Sequence, residues 1–84
     1  MKIKKAKRLV NKAVLGARKR ARSMSTTELL LWANNSVYQV GRNLSEYEEN
    51  MDEIHLLEAE GSASILQELL KELQERNHGS NRSS

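Results

Sequence analysis

The chain contains no cysteine, no proline and no phenylalanine, and its aromatic residues are one Trp and two Tyr. Without cysteine there is no disulfide framework and no thiolate metal site, so nothing points to an oxidising, secreted setting. The absence of proline removes the strongest helix breaker and suits an all-helical chain. Long apolar runs are missing as well. The longest uncharged stretch, residues 29 to 41, is too short and too polar to span a bilayer, which takes about 20 apolar residues. Residues 29 to 33 are likewise too few for the apolar part of a signal peptide, and no cleavage-site pattern follows. The chain is therefore expected to be neither secreted nor transmembrane, and to work in the cytoplasm or within a viral particle. A glycine-rich phosphate loop is lacking, and no arrangement of Ser, His and an acid suggests a nucleophile. A non-enzymatic role without cofactor or metal is expected. With 84 residues there is room for one domain with a thin core.

What the chain does have is a division of charge. Residues 1 to 22 hold ten Lys or Arg and no acid, whereas residues 23 to 84 hold four bases and eleven acids, so +10 is followed by −7 and the whole carries +3. Such asymmetry suggests a polyanion-binding segment joined to a separate module. The densest clusters are Arg18, Lys19, Arg20 and Arg22, and Lys2, Lys4, Lys5, Lys7 and Arg8, with Lys12 between them. Ile3, Ala6, Val10, Ala13 and Ala17 keep helical spacing, with Leu9 and Val14 beside them, so the segment reads as a basic amphipathic helix. No aromatic residue interleaves the cations. Contact with phosphates is therefore expected to be electrostatic and blind to base sequence. The plainer alternative is a solvated face, or cations paired with the acids of the following helix. A basic amphipathic helix also suits an anionic membrane surface. Lys7-Arg8 with Arg18-Lys19-Arg20 loosely matches a two-part nuclear import signal.

Residues 24 to 60 read as one long helix. Ser25 followed by Glu28 forms a capping box, with Met24 and Leu29 placed for a hydrophobic staple, so the first helical residue is expected at Thr26. Leu30, Val37, Leu44 and Met51 recur every seven residues, and Ala33, Val40, Tyr47 and Ile54 recur three positions later. The flanking positions hold Asn34, Gly41, Glu48 and His55 on one side and Ser36, Asn43, Asn50 and Leu57 on the other. These are mostly small and uncharged, which favours broad packing over a parallel zipper. Gly61 is expected to cap this helix in a left-handed conformation and to reverse the chain. A third helix then carries Ile65, Leu66, Leu69, Leu70 and Leu73, with Glu68, Glu72 and Glu75 outside and Glu72 able to pair with Arg76.

The expected architecture is thus all-α: a long central helix with an antiparallel C-terminal helix, a helical hairpin, preceded by a basic amphipathic N-terminal helix. Residues 1 to 23 form the basic arm, 24 to 76 the association module and 77 to 84 a flexible tail. Because a third helix starting after Gly61 covers only half of its partner, the apolar residues at the start of the long helix need another cover, from the arm or from a second subunit. Leu29, Leu30, Trp32, Val37, Val40, Leu44, Tyr47, Met51, Ile54, Leu66 and Leu69 are the candidate packing and oligomer interface. Trp32 fits either an anchor for a partner or a residue packed against the arm. Asp52 and His55, flanked by Glu48 and Glu58, have helical spacing, but Asp52 lies on the outward side, so an ordinary boundary histidine is expected rather than a metal ligand.

Three functional expectations follow. The first is a homo-oligomeric assembly protein whose arm contacts nucleic acid or another polyanion. The second is a structural subunit of a larger particle, such as a phage internal, scaffolding or decoration protein, docking through its arm and Trp32. The third is a peripheral binder of anionic membranes.

Overall fold

The computed structural model describes residues 2 to 82, with side chains from 3 to 78. It is all-helical: α1 Lys2–Arg22, α2 Thr26–Asn50 and α3 Glu53–Arg82, with no strand among the described residues. The helices run up, down and up. Val10 of α1 faces Gly61 and Arg18 faces Glu72, so α1 runs parallel to α3. Glu46 meets His55 near the turn and Thr26 meets Arg76 at the far end, so α2 runs antiparallel to α3. Both helices pack along α3 and scarcely touch each other. The organising element is therefore the third helix.

The start of α2 follows its local chemistry. Ser25 is extended at φ −69° and ψ 161°, its hydroxyl accepts from the Glu28 amide at 3.1 Å, and its own amide donates to Glu28 Oε1 at 2.9 Å. The capping box is complete, and Met24 packs on the cluster that contains Leu29, as the staple requires.

The end of α2 differs from the sequence expectation. The chain reverses at Asn50, Met51 and Asp52, and α3 continues as helix straight through Gly61. Met51 takes the left-handed conformation, φ 58°, and its amide still donates to the Tyr47 carbonyl at 2.7 Å. The Asn50 side chain accepts from the Asp52 amide at 3.0 Å, and the Asp52 side chain accepts from the Ile54 amide at 3.1 Å. Two Asx side chains thus hold the turn and start the next helix. Gly61 serves packing instead. A Cβ placed there would lie 2.5 Å from Val10 Cγ1, so the missing side chain is the notch into which α1 settles.

Moving the turn lengthens α3, which now runs along the whole of α2. The start of α2 is accordingly covered by its own chain. Leu29 is fully buried in a cluster with Ala21 of α1, Ala33, and Leu69 of α3, bordered by Trp32, Ile65, Leu66 and Leu73. The inward seam of α2 is Leu29, Ala33, Ser36 and Asn43, with Val40 and Tyr47 half-buried. The seven-residue row Leu30, Val37, Leu44 and Met51, expected at the seam, points outward. Two buried polar residues make this rotation inexpensive. Ser36 donates to the Trp32 carbonyl at 3.0 Å and Asn43 to the Gln39 carbonyl at 2.9 Å, so neither is left unsatisfied. Their small size also lets α3 approach. Residues 77 to 82 continue α3, and Ser83 and Ser84 lie outside the described residues.

Candidate nucleic-acid interface

One stripe of α1, built from Val10, Ala17 and Ala21, rests on α3 and the core, with Ala17 and Ala21 fully or almost fully buried. Because successive residues turn by about 100°, this docking dictates where each cation goes. Lys4, Lys5, Lys7, Arg8, Lys12, Lys19 and Arg22 are exposed and form no ion pair with the described residues. The Lys2 side chain lies outside the described residues. Lys4, Lys7, Arg8, Asn11, Lys12 and Leu15 line an open depression of about 470 Å³ on the outward side. Leu15, 82% exposed, sits amid the cations and is scarcely covered by the described residues.

Two of the ten bases have other duties. Arg18 turns toward α3, where its guanidinium lies 2.6 Å from Glu75, 3.6 Å from Glu72 and 3.7 Å from Glu68. The hydrogen bond from Arg18 holds the Glu75 carboxyl below the usual carboxylate range, and the charges of Arg18 and Arg22 add to this. The same contact raises Arg18. Arg20 lies over the Trp32 ring, 4.9 Å from its centroid, bridging α1 to α2 by a cation–π contact. Trp32 is half-buried between that guanidinium and the core cluster.

A clamp at the α1–α2 joint holds this face in place. Glu72, 8% exposed, sits between Arg18 and Arg76, and the expected Glu72–Arg76 pair is present at 3.0 Å. Arg76 also donates to the carbonyls of Ala21 at 3.0 Å and Met24 at 2.7 Å, and to the Thr26 hydroxyl at 3.2 Å. The C-terminal carbonyls of a helix lack intrahelical donors and carry partial negative charge, so one guanidinium satisfies α1 and fixes the start of α2 together. Sequence spacing reveals the Glu72–Arg76 pair but not this longer reach, which depends on where α1 ends in space.

Elsewhere, His55 Nδ1 lies 3.2 Å from Glu46 Oε2 across the turn. Among the described residues no three His, Cys, Asp or Glu side chains are grouped to hold a metal, and no helix is long and apolar enough to cross a membrane.

The outward side of α1 is chemically simple: exposed cations over about 27 Å, from the helical rise between Lys4 and Arg22, with no aromatic among them. It suits a linear array of negative charges better than a compact substrate. The chain matches no family model, no curated protein and no solved structure.

Proposed function

We propose that this is a non-enzymatic assembly protein: the outward face of α1 binds the nucleic-acid backbone without sequence preference, and the chain self-associates. The observation that carries the reading is the set of seven exposed cations, without an ion pair among the described residues, on a helix whose other side is docked on α3. Duplex DNA offers one phosphate charge per ~1.7 Å of axis with both strands counted, so a helix presenting cations over ~27 Å lies along a stretch that carries more phosphates than the helix has cations. Docking also means that the helix need not fold when it binds, which lowers the entropic cost of association.

Neutralising about five phosphates would make log affinity fall against log salt with a slope near −4 to −5. Titration of labelled duplexes of different sequence between low and moderate salt tests this. The expected result is that slope, with little difference among sequences. Binding indifferent to salt would defeat the proposal. Self-association adds avidity, because two weak faces on one particle act together.

A further inference from the structure

We infer that the side of the α2–α3 hairpin remote from α1 is where two copies of this chain meet, with their turns at opposite ends. This rests on the self-association half of the reading above and gives it a face and an orientation.

Two rows carry the inference. α2 presents Leu30, Val37 and Leu44, and α3 presents Leu56, Ala63 and Leu70, each at seven-residue intervals. The five large side chains among them are 37% to 56% exposed, although each helix already buries another seam. The pairings Glu46–His55 and Thr26–Arg76 set the levels of the hairpin, so Leu30 stands beside Leu70, Val37 beside Ala63, and Leu44 beside Leu56. The rows share one side. On α2, Trp32 marks the edge toward α1, and the Leu30 row lies roughly 120° to 160° around the helix from it. On α3, Gly61 and Glu68 face α1, and the Leu70 row lies about half a turn from them.

The occupant follows from the pattern and from charge. Read in either direction the rows are Leu-Val-Leu and Leu-Ala-Leu, so a two-fold axis crossing the hairpin at the Val37–Ala63 level maps each row onto itself. An isologous interface requires that self-complementarity. Leu30 then meets the partner's Leu44, Leu56 meets the partner's Leu70, and the small Ala63 lies at the centre, where close approach is needed. The result is four core helices packed as two hairpins. Glu48, Glu49, Asp52 and Glu53 crowd the turn end, while residues 29 to 41 carry no charge. Placing the turns at opposite ends keeps the two acidic turns apart and sets each against the mixed-charge end of the other copy, where Glu72 and Glu75 are paired with Arg18 and Arg76. About 30 Å of a two-helix face some 20 Å wide gives roughly 600 Å² of footprint, close to the ~800 Å² per partner of a standard stable interface. The two α1 helices then stand on opposite outer sides, so the pair presents cations in two directions and can bridge two phosphate backbones.

The test is solution mass on the full chain, with cross-linking in a protein that has no native thiol. The wild-type chain should weigh as two copies, and Leu44→Asp as one with its helical circular dichroism unchanged. Tyr38→Asp, on an exposed residue off this face, should leave the pair intact. Ala63→Cys should cross-link to itself with a short bis-maleimide, and a mixture of Val37→Cys and Ala63→Cys should give few mixed products. A wild-type mass of one copy at all concentrations would overturn the inference together with self-association, while the salt slope of duplex binding would stand or fall separately. A wild-type pair that survives Leu44→Asp would overturn the face and leave self-association standing. Predominant Val37–Ala63 products would overturn the orientation.

Discussion

α1 and α2 both lean on α3, and they do so by different means. α2 contributes a fully buried leucine, small residues and two polar side chains that bond to their own helix. α1 contributes alanines, one valine set into a glycine notch, and guanidinium chemistry at its C-terminal end. The first interface depends on apolar burial. The second has little apolar area and depends more on steric fit and on charged hydrogen bonds. The contrast explains how a helix with ten like charges stays docked: the cations are segregated to its far side, and Arg18 and Arg20 are given acceptors or an aromatic face.

The largest expected effect tests the first interface. Leu69 is fully buried against Leu29 and the α1 end, so Leu69→Ala should cost about 2 to 5 kcal/mol, read from denaturant midpoints. That is a large share of a small domain's stability. The second interface is probed by its notch. Gly61→Ala should destabilise by roughly 1 to 2 kcal/mol, because overpacking against stiff Val10 outweighs a helix-propensity gain of up to about 1 kcal/mol. Gly41→Ala, with open space at its Cβ, should instead stabilise by up to about 1 kcal/mol. Equal signs for the two glycines would break the comparison. Arg76→Ala should cost about 1 to 2 kcal/mol, since it strips donors from the Ala21 and Met24 carbonyls and a partner from Glu72. Its signature is faster hydrogen exchange at the end of α1 and the start of α2, with the turn at residue 51 unaffected.

The smallest effect is one of pH. Glu75, beside Arg18, and Glu28, bonded by Ser25, both titrate below the usual carboxylate value in the folded chain. Their contribution is therefore fully present above that ordinary value and is lost as pH falls through the depressed values. Both are solvent-screened, so the loss should be modest and should shrink in salt. Glu75→Gln should flatten the acid limb of the stability curve, measured by thermal melts between pH 3 and 6, values bracketing the ordinary Glu pKa of about 4.3.

Much of this fold is legible in the residues. The capping box at Ser25 is local chemistry, and local chemistry transfers directly from sequence to structure. The helical reading of residues 2 to 22 likewise rests on spacing alone. The turn is harder to read, because Met51 and Ile54 continue the apolar spacing through it, while the Asn50 and Asp52 side chains that hold it are common on helix surfaces too. Gly61 misleads for a related reason. Glycine suits both a left-handed cap and a close helix contact, and only the position of Val10, 51 residues away in sequence, decides between them. The choice between the rows at Leu30 and at Leu29 depended on Ser36 and Asn43, whose hydrogen bonds to preceding carbonyls make them acceptable inside. In the candidate site, composition identifies the cations as a group. It does not sort Arg18 from Lys12, because that needs the direction in which α1 meets α3.

That sorting gives the most direct test of the account: the salt slope of duplex binding in two single-charge variants, Lys12→Gln and Arg18→Gln. Lys12 points outward, so its loss should reduce the slope by about 1 with unfolding stability unchanged, while loss of Arg18 should lower stability and leave the slope as it was. Equal reductions in slope from both variants would contradict the account, since Arg18 would then be meeting phosphate with α1 detached from α3.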